Sequence, residues 1–380
     1  MRRFRAFGFR EVVTPALEYS EVVEEPRLRD QSFKLFDDDN QMLLLRPEVT
    51  TQISRLIAQR LRNSPPPHKL SYSLPVYRRT GVGRGQAAEF HQAGVEAVGS
   101  TSPAEDAGTI ALLVDVLESL GLRAPDDFAV VLGQTAFYEG YLRDAAPEAA
   151  PDLLAALAAK DLVRVDGISA GLPDGVAVAA RDIPRIVGPA KDGSMLERAR
   201  RYAQGDEAGQ ALENLREIMG HLEAYGCLEA VILDLGLTGR YEYYTGAVYE
   251  AYSPNLGFTV ASGGRYDNLL QRFGEPLPAT GFAISLERLL SVLPAGEQEP
   301  LLVLVGENIE STHMADLLRT SGVRVLHLAE DSSYEKAARY ADSIGAEWVC
   351  YPAPDGVKLG RNGKEPKLVG VEEVAGMVNG

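Results

Sequence analysis

The stretch LPVYRRTGVGRGQAAEFHQAGVEAVG, from Leu74 to Gly99, has the pattern of a β-hairpin. Two runs, LPVYRR and EFHQAGVEAV, flank a loop that contains three glycines and Arg84. Successive side chains of a strand point to opposite faces, so Gln92 and Glu96 are predicted to share one face. With Arg78 on the incoming arm, the hairpin would offer a cationic and an anionic group to a small zwitterion such as an amino acid. The alternative is an ordinary glycine hairpin with a solvated polar face, since such hairpins are common.

Composition limits the class of protein. The 380 residues are enough for two or three domains. A net charge of −16 disfavours a broad nucleic-acid footprint, which needs lysine and arginine. The two cysteines, Cys227 and Cys350, argue against a disulfide framework or a cysteine zinc site and favour a reducing cytoplasm. The sequence has no apolar run long enough for a membrane span and no metal-ligand spacing of histidines, so we expect neither membrane nor metal.

A second polar group precedes a helix. QMLLLRPEVTTQISRLIAQRLRN, residues 41–63, predicts a buried strand, a proline turn and an amphipathic helix with Ile53 and Ile57 on its apolar side. Glu48 and Thr50 fall in the first turn, where capping of the helix is one interpretation and ligand binding is the other.

The remaining chain predicts further elements in a clear order. Residues 101–120 form a helix with a Ser102-Pro103 start, and residues 127–133 a buried strand. Residues 136–222 predict an inserted, mainly helical subdomain. Next come a predicted strand over 228–235 and a tyrosine-rich hairpin over 236–252. They are followed by the glycine turn SGGRYDNL and the strand-to-helix run GFAISLERLL. A linker after residue 292 leads to a small parallel α/β sheet over 299–380.

The hairpin resembles motif 2 of class II aminoacyl-tRNA synthetases, in the histidyl-tRNA synthetase branch, where FHQ and GVE close the return strand. FGFREVVTP resembles motif 1, whose strand and proline build the dimer interface, and GFAISLER resembles motif 3, whose arginine (here Arg288) contacts ATP phosphate. The resemblance implies an α+β fold. The implied fold comprises a class II antiparallel sheet flanked by helices over residues 1–292, with a helical insertion. The C-terminal α/β domain over residues 299–380 would resemble a degenerate anticodon-binding domain.

The resemblance also implies a histidine-binding site. The matching positions are Glu48, Thr50, Arg78, Gln92, Glu96, Tyr243 and Tyr244. In this assignment Arg78 pairs with the ligand carboxylate, and the carboxylates and Gln92 hold the ammonium or the imidazole. The two tyrosines line the side-chain pocket.

The chain departs from the synthetases where ATP is bound and activated. Thr80 and Gly81 replace an acid and an arginine of motif 2. Gly239 stands at the position of the catalytic arginine, with Arg240 one residue away and, if on a strand, on the opposite face. An amino-acid pocket retained without adenylation residues resembles the regulatory-subunit family of ATP phosphoribosyltransferase, a paralogue of histidyl-tRNA synthetase.

That resemblance implies a cytoplasmic, non-catalytic subunit without a cofactor. Its partners would be L-histidine and the short-form catalytic subunit, with a homodimer inside a hetero-oligomer (a hetero-octamer in the family). Residues 299–380 carry 13 acidic and 8 basic residues, which argues against tRNA. Two alternatives remain: an active histidyl-tRNA synthetase, and a free-standing tRNA-binding or stress-sensing module.

Overall fold

The chain divides into two units, Met1–Pro294 and Ala295–Gly380. The computed structural model describes residues 1–23, 25–79, 87–239, 241, 243–254, 256–294, 300–361 and 364–379. In that part of the chain no helix has the length and apolarity needed to cross a membrane. Thr80, Gly81, Arg84 and Arg240, which carry several of the predictions above, lie outside the described residues.

A mixed sheet forms the centre of the first unit. The described strands of this unit are β1 (Arg10–Glu11), β2 (Leu17–Tyr19), β3 (Lys34–Phe36), β4 (Met42–Leu45), β5 (His68–Tyr77), β6 (Glu89–Val98), β7 (Ala129–Gln134), β8 (Val187–Pro189), β9 (Val231–Asp234), β10 (Ala247–Tyr252), β11 (Thr259–Arg265) and β12 (Ala279–Ser285). The large sheet has the order β1-β5-β6-β12-β11-β10-β7-β9-β8, and a small antiparallel sheet has the order β2-β4-β3. All pairs in the large sheet are antiparallel except β1 with β5 and β7 with β9.

Most helices of this unit pack on one face of the sheet, and the helix over Thr50–Arg60 packs on the other face against β5. The described ones are α1 (Arg2–Ala6), α2 (Pro26–Gln31), α3 (Thr50–Arg60), α4 (Pro103–Ser119), α5 (Thr135–Ala145), α6 (Ala150–Ala158), α7 (Leu162–Ser169), α8 (Asp174–Asp182), α9 (Ser194–Arg200), α10 (Asp206–Ala224) and α11 (Leu286–Leu290). Ser102 caps α4 by accepting from the Ala104 amide at 3.3 Å, as predicted. Helices α5–α10 share one apolar core with the sheet, where Leu132 of β7 and Leu215 of α10 are both buried. The predicted α+β class is confirmed.

Strand β6 divides the apolar interior. Ala93, Val95 and Ala97 belong to the core under the helices. Gln92 and Glu96 lie on the opposite face and line a pocket, so the alternation predicted from the sequence is confirmed. The partner strand β5 begins at His68 rather than at Leu74 and ends at Tyr77.

Two local predictions are wrong. The tyrosine-rich hairpin over residues 236–252 does not form, because β10 is the one strand among the described residues of that range and it pairs with β7 and β11. Tyr241, Tyr243 and Tyr244 lie before β10, outside any strand, and so does Gly239. The argument from strand direction concerns Arg240, which lies outside the described residues. The strand predicted before Pro47 is present as β4, which belongs to the small sheet and buries Leu44.

The second error is the glycine turn. Gly263 and its neighbour lie inside β11. A Cβ on Gly263 would come within 2.7 Å of both Phe282 Cβ and Tyr249 Cε2, so glycine is needed there for close packing and not for a turn.

The second unit is a small α/β sheet. Its described elements are β13 (Leu301–Val305), α12 (Ile309–Thr320), β14 (Arg324–Leu328), α13 (Tyr334–Ser343), β15 (Trp348–Ala353), β16 (Gly356–Arg361), β17 (Lys367–Val369) and α14 (Val371–Asn379). The order is β14-β13-β15-β16-β17. The first three strands are parallel, as predicted, but β16 and β17 extend the sheet in antiparallel fashion, so the sheet is mixed.

Candidate functional site

A pocket lies on the face of the large sheet that carries Gln92 and Glu96, opposite the face that packs against the core of α4–α10. Its walls are formed by Glu48, Thr50, Tyr72, Arg78, Gln92, Glu96, Tyr241, Tyr243, Tyr244, Ser262, Tyr266, Gly281, Phe282 and Ala283. All seven residues predicted from the sequence are among them. The N-terminus of α3, the end of β5 and the middle of β6 bring these side chains together.

Two carboxyl groups are buried in this pocket. Glu48 is 4% exposed and Glu96 is 2% exposed. Both oxygens of Glu48 accept from the Thr51 amide at 3.1 Å, so this side chain caps α3 and also lines the pocket. The Thr50 hydroxyl does not cap the helix but donates to Glu96 Oε1 at 2.6 Å, and the Tyr266 hydroxyl donates to the other oxygen of Glu96.

Burial changes the protonation of these groups. Removal from water raises the pKa of Glu48, and it raises the pKa of Glu96 to about 8 despite hydrogen bonds from Thr50 and Tyr266 that lower it. Glu96 therefore carries a proton at neutral pH. Burial also raises the pKa of Tyr266 well above its ordinary value, so its phenol stays protonated as well.

Arg78 is the cationic group of the site. Its Nε donates to the Pro47 carbonyl at 2.7 Å, and its guanidinium lies 5.2 Å from the centre of the Phe90 ring. Its Nη2 is buried and has no hydrogen-bond partner among the described residues. A buried donor of this kind is costly unless a partner arrives, which is what a ligand carboxylate would provide.

Aromatic side chains form one wall. Tyr243 contacts Tyr241, Tyr244 and Tyr266, with ring centres 5.2, 5.0 and 5.7 Å apart. The site assignment from the sequence did not include Tyr72 or Tyr266. Tyr72 pairs with Gly94 on β6 and so lies on the face of Glu96, a position that strand alternation would have given if β5 had been extended backwards.

Gly281 makes room for the buried carboxyl. It lies directly opposite Glu96 in the β6–β12 pair. A Cβ there would collide with Glu96 Oε2 and with the Val95 carbonyl. Any larger residue would displace the Glu96 side chain.

A buried ion pair supports the end of β11, at Arg265. Arg265 Nε donates to both carboxylate oxygens of Asp106 on α4, at 3.1 and 2.9 Å. Its Nη1 donates to the Ser100 carbonyl at 3.0 Å and to Asp267 at 3.1 Å. No local sequence pattern predicts this pair, because 159 residues separate its members.

The groups expected on the ATP side are engaged within the chain. Arg288 Nη1 donates to the Thr259 carbonyl at 2.9 Å, and the guanidinium lies 5.2 Å from the centre of the Phe258 ring. A Cβ on Gly239 would come within 2.5 Å of Tyr244 Cδ2. A longer side chain at position 239 therefore needs a different position of Tyr244.

The family profile of histidyl-tRNA synthetase matches residues 1–289. An ATP phosphoribosyltransferase regulatory subunit of Rubrobacter xylanophilus is 67% identical over 379 residues, which is 100% of this chain and 92% of that protein.

Solved structures give the same picture. An ATP phosphoribosyltransferase regulatory subunit/histidyl-tRNA synthetase from Bacillus halodurans is 30% identical, with a TM-score of 0.79 over 92% of this chain and 91% of that one. Histidyl-tRNA synthetase from Nostoc sp. PCC 7120 shares the fold, with a TM-score of 0.81 over 99% of this chain and 92% of that one, at 20% identity. The chain therefore belongs to the family of ATP phosphoribosyltransferase regulatory subunits, which share the fold of histidyl-tRNA synthetase.

Proposed function

We propose that this chain is the regulatory, non-catalytic subunit of a cytoplasmic ATP phosphoribosyltransferase. In this proposal it binds L-histidine and, through the short-form catalytic subunit, controls the first step of histidine biosynthesis. The observation that carries the histidine site is the pocket itself, in which two buried carboxyl groups and an unpartnered guanidinium donor lie beside a tyrosine wall.

The polar groups of the pocket match those of histidine. The buried Nη2 of Arg78 would donate to the ligand carboxylate, a charge-assisted contact. Glu48, Glu96 and Gln92 would accept from the ammonium and the imidazole, with Thr50 holding the Glu96 carboxyl in place. The rings of Tyr243 and Tyr244 would line the imidazole.

Calorimetric titration with histidine tests the pocket. Arg78→Ala should weaken binding by about 10- to 100-fold, since a hydrogen bond to a charged group contributes roughly 1.5–3 kcal/mol. Arg79→Ala is the matched control, because Arg79 is exposed and donates to the Asp30 carbonyl outside the pocket. An Arg78→Ala protein with full affinity for histidine would refute the assignment.

An active histidyl-tRNA synthetase is the second candidate, because the synthetase profile covers the whole first unit up to residue 289. Histidine-dependent ATP–pyrophosphate exchange, measured with the protein in excess, separates the two. We expect no exchange, since Arg288 is held by Thr259 and Phe258 and glycine occupies position 239. Clear exchange would assign the chain to the ligases.

The assembly is part of the proposal. We expect a homodimer that joins the short-form catalytic subunit in a hetero-oligomer and does not bind tRNA, with the second unit a degenerate anticodon-binding domain. Light scattering of the mixed subunits gives the stoichiometry. Phosphoribosyltransferase activity that becomes sensitive to histidine only when this chain is added would support the regulatory role, and indifference to histidine in the complex would contradict it.

A further inference from the structure

The two chain segments that carry the acidic and the basic group of the pocket are joined by crossed hydrogen bonds. Arg46 Nε donates to the Pro75 carbonyl at 2.7 Å, and Arg78 Nε donates to the Pro47 carbonyl at 2.7 Å. Between them the Tyr77 amide donates to the carbonyl of Arg46 at 3.0 Å. Each arginine thus reaches from its own segment to the backbone of the other.

Arg46 is a buried cation held by uncharged acceptors. It is 3% exposed, and burial lowers its pKa. Besides Pro75, its Nη1 donates to the carbonyls of Thr14 at 2.6 Å and Pro15 at 3.2 Å. No carboxylate of the described residues forms an ion pair with it. A guanidinium buried against carbonyls alone is expensive to desolvate, and an apolar side chain would fill the same space at lower cost.

The geometry explains why arginine in particular stands there. Pro75 is bonded through Nε, and Thr14 and Pro15 are bonded through Nη1, so acceptors at two different nitrogens of one rigid plane are held together. A lysine has a single flexible ammonium and cannot fix these acceptors in the same way.

We propose that Arg46 is a positioning residue, which holds Glu48 and Arg78 at the separation that a small zwitterionic ligand requires and so sets the affinity of the site. The side chain is not part of the pocket wall. It acts through the backbone. Glu48 lies two residues after Arg46, and Arg78 lies three residues after Pro75, whose carbonyl accepts from Arg46. The inference rests on the proposed function, because histidine is its probe.

The test compares Arg46→Lys with a matched control in histidine titrations and in urea unfolding. The control is Arg55→Met on α3, which breaks a 2.7 Å ion pair with the buried Glu18 but touches neither pocket segment. Arg46→Lys should raise the dissociation constant at least about 10-fold, whereas Arg55→Met should leave it within about twofold while lowering the urea midpoint. If Arg46→Lys lowers stability but binds histidine as the wild type does, Arg46 is merely structural and the inference is wrong.

A double-mutant cycle with Arg78→Lys measures whether the two arginines are coupled in histidine affinity, which a general loss of stability would not change. If Arg46 acts through Arg78, its substitution should cost much less affinity in the Arg78→Lys background than in the wild type. Full additivity of the two losses would contradict the proposal.

A measurement on the wild-type chain covers the case in which Arg46→Lys does not fold. Saturating histidine should slow hydrogen exchange of the Tyr77 amide, which donates to the Arg46 carbonyl, more than exchange of the Val12 amide, which donates to the Ser71 carbonyl and gains only the general stabilisation of the folded chain. Equal exchange of Tyr77 with and without histidine would refute the inference. A wild-type chain that does not bind histidine would refute the proposed function as well, whereas the outcomes above refute the role of Arg46 alone.

Discussion

Replacing Glu96 by glutamine should remove a pH-dependent loss of stability from the first unit. Burial raises the pKa of this carboxyl from 4.5 to about 8. Between these two values the folded chain binds a proton at Glu96 and the unfolded chain does not. The stabilisation is therefore complete below the unfolded pKa and is lost as the pH rises through the folded one.

The magnitude follows from the size of the shift. Each unit of pKa difference corresponds to about 1.4 kcal/mol, so the full window corresponds to about 5 kcal/mol in the free energy of unfolding. Glutamine resembles the protonated acid, because its oxygen can accept from Thr50 and its amide can donate to the Tyr266 oxygen, whose hydroxyl donates to Glu96 in the wild type and turns to accept in the variant. The variant should match the wild type near pH 5 and should be several kcal/mol more stable near pH 8.5.

Urea unfolding across this pH range is the assay. Circular dichroism follows the whole chain, and the fluorescence of Trp348, the single tryptophan, reports the second unit separately. Glu118→Gln, at an exposed position on α4, is the control and should leave the pH profile unchanged. A difference between Glu96→Gln and wild type that varies by less than about 1 kcal/mol from pH 5 to pH 8.5 would refute the reasoning.

Three further outcomes are expected. Histidine binding near pH 7 should release protons from Glu96. Calorimetry in buffers of different ionisation enthalpy detects this release, and the affinity for histidine should rise as the pH approaches 8. Gly281→Ala should reduce histidine affinity at least about 10-fold and destabilise the chain by about 1–3 kcal/mol in urea, whereas Gly209→Ala, which meets no atom within 4 Å, should do neither. Asp106→Asn should cost about 3–5 kcal/mol of stability by urea unfolding, and the double variant Asp106→Leu/Arg265→Met should recover most of it.

The parts of the fold that local rules determine could be predicted from the sequence. The alternation in β6 placed Gln92 and Glu96 on one face because the other face is buried against helices, which fixes the register of the strand. The start of α4 followed from Ser102 and the proline after it. The seven site residues came from the family resemblance, and spacing alone would not have joined Glu48 to Tyr243.

The parts that depend on distant partners could not be predicted. The tyrosine segment looked like a hairpin by composition, but its one described strand, β10, pairs with β7, which comes from residues more than a hundred positions earlier. Tyr266 donates to Glu96 across 170 residues of sequence. No local sequence pattern predicts the contact between Tyr266 and Glu96, because neither strand propensity nor capping chemistry depends on it.

The wide separation of the pocket residues along the sequence has a consequence for the rate at which the protein is degraded. A pocket whose walls come from residues 48 to 283 exists only after the whole first unit has folded. On the proposed function histidine therefore binds the native chain and not the unfolded one, and at 100 times its dissociation constant it adds about 2.7 kcal/mol to the free energy of unfolding. Digestion by proteases proceeds through opened chains and would slow accordingly. An abundant amino acid would thus prolong the lifetime of its own sensor, and starvation would deplete the sensor along with the signal.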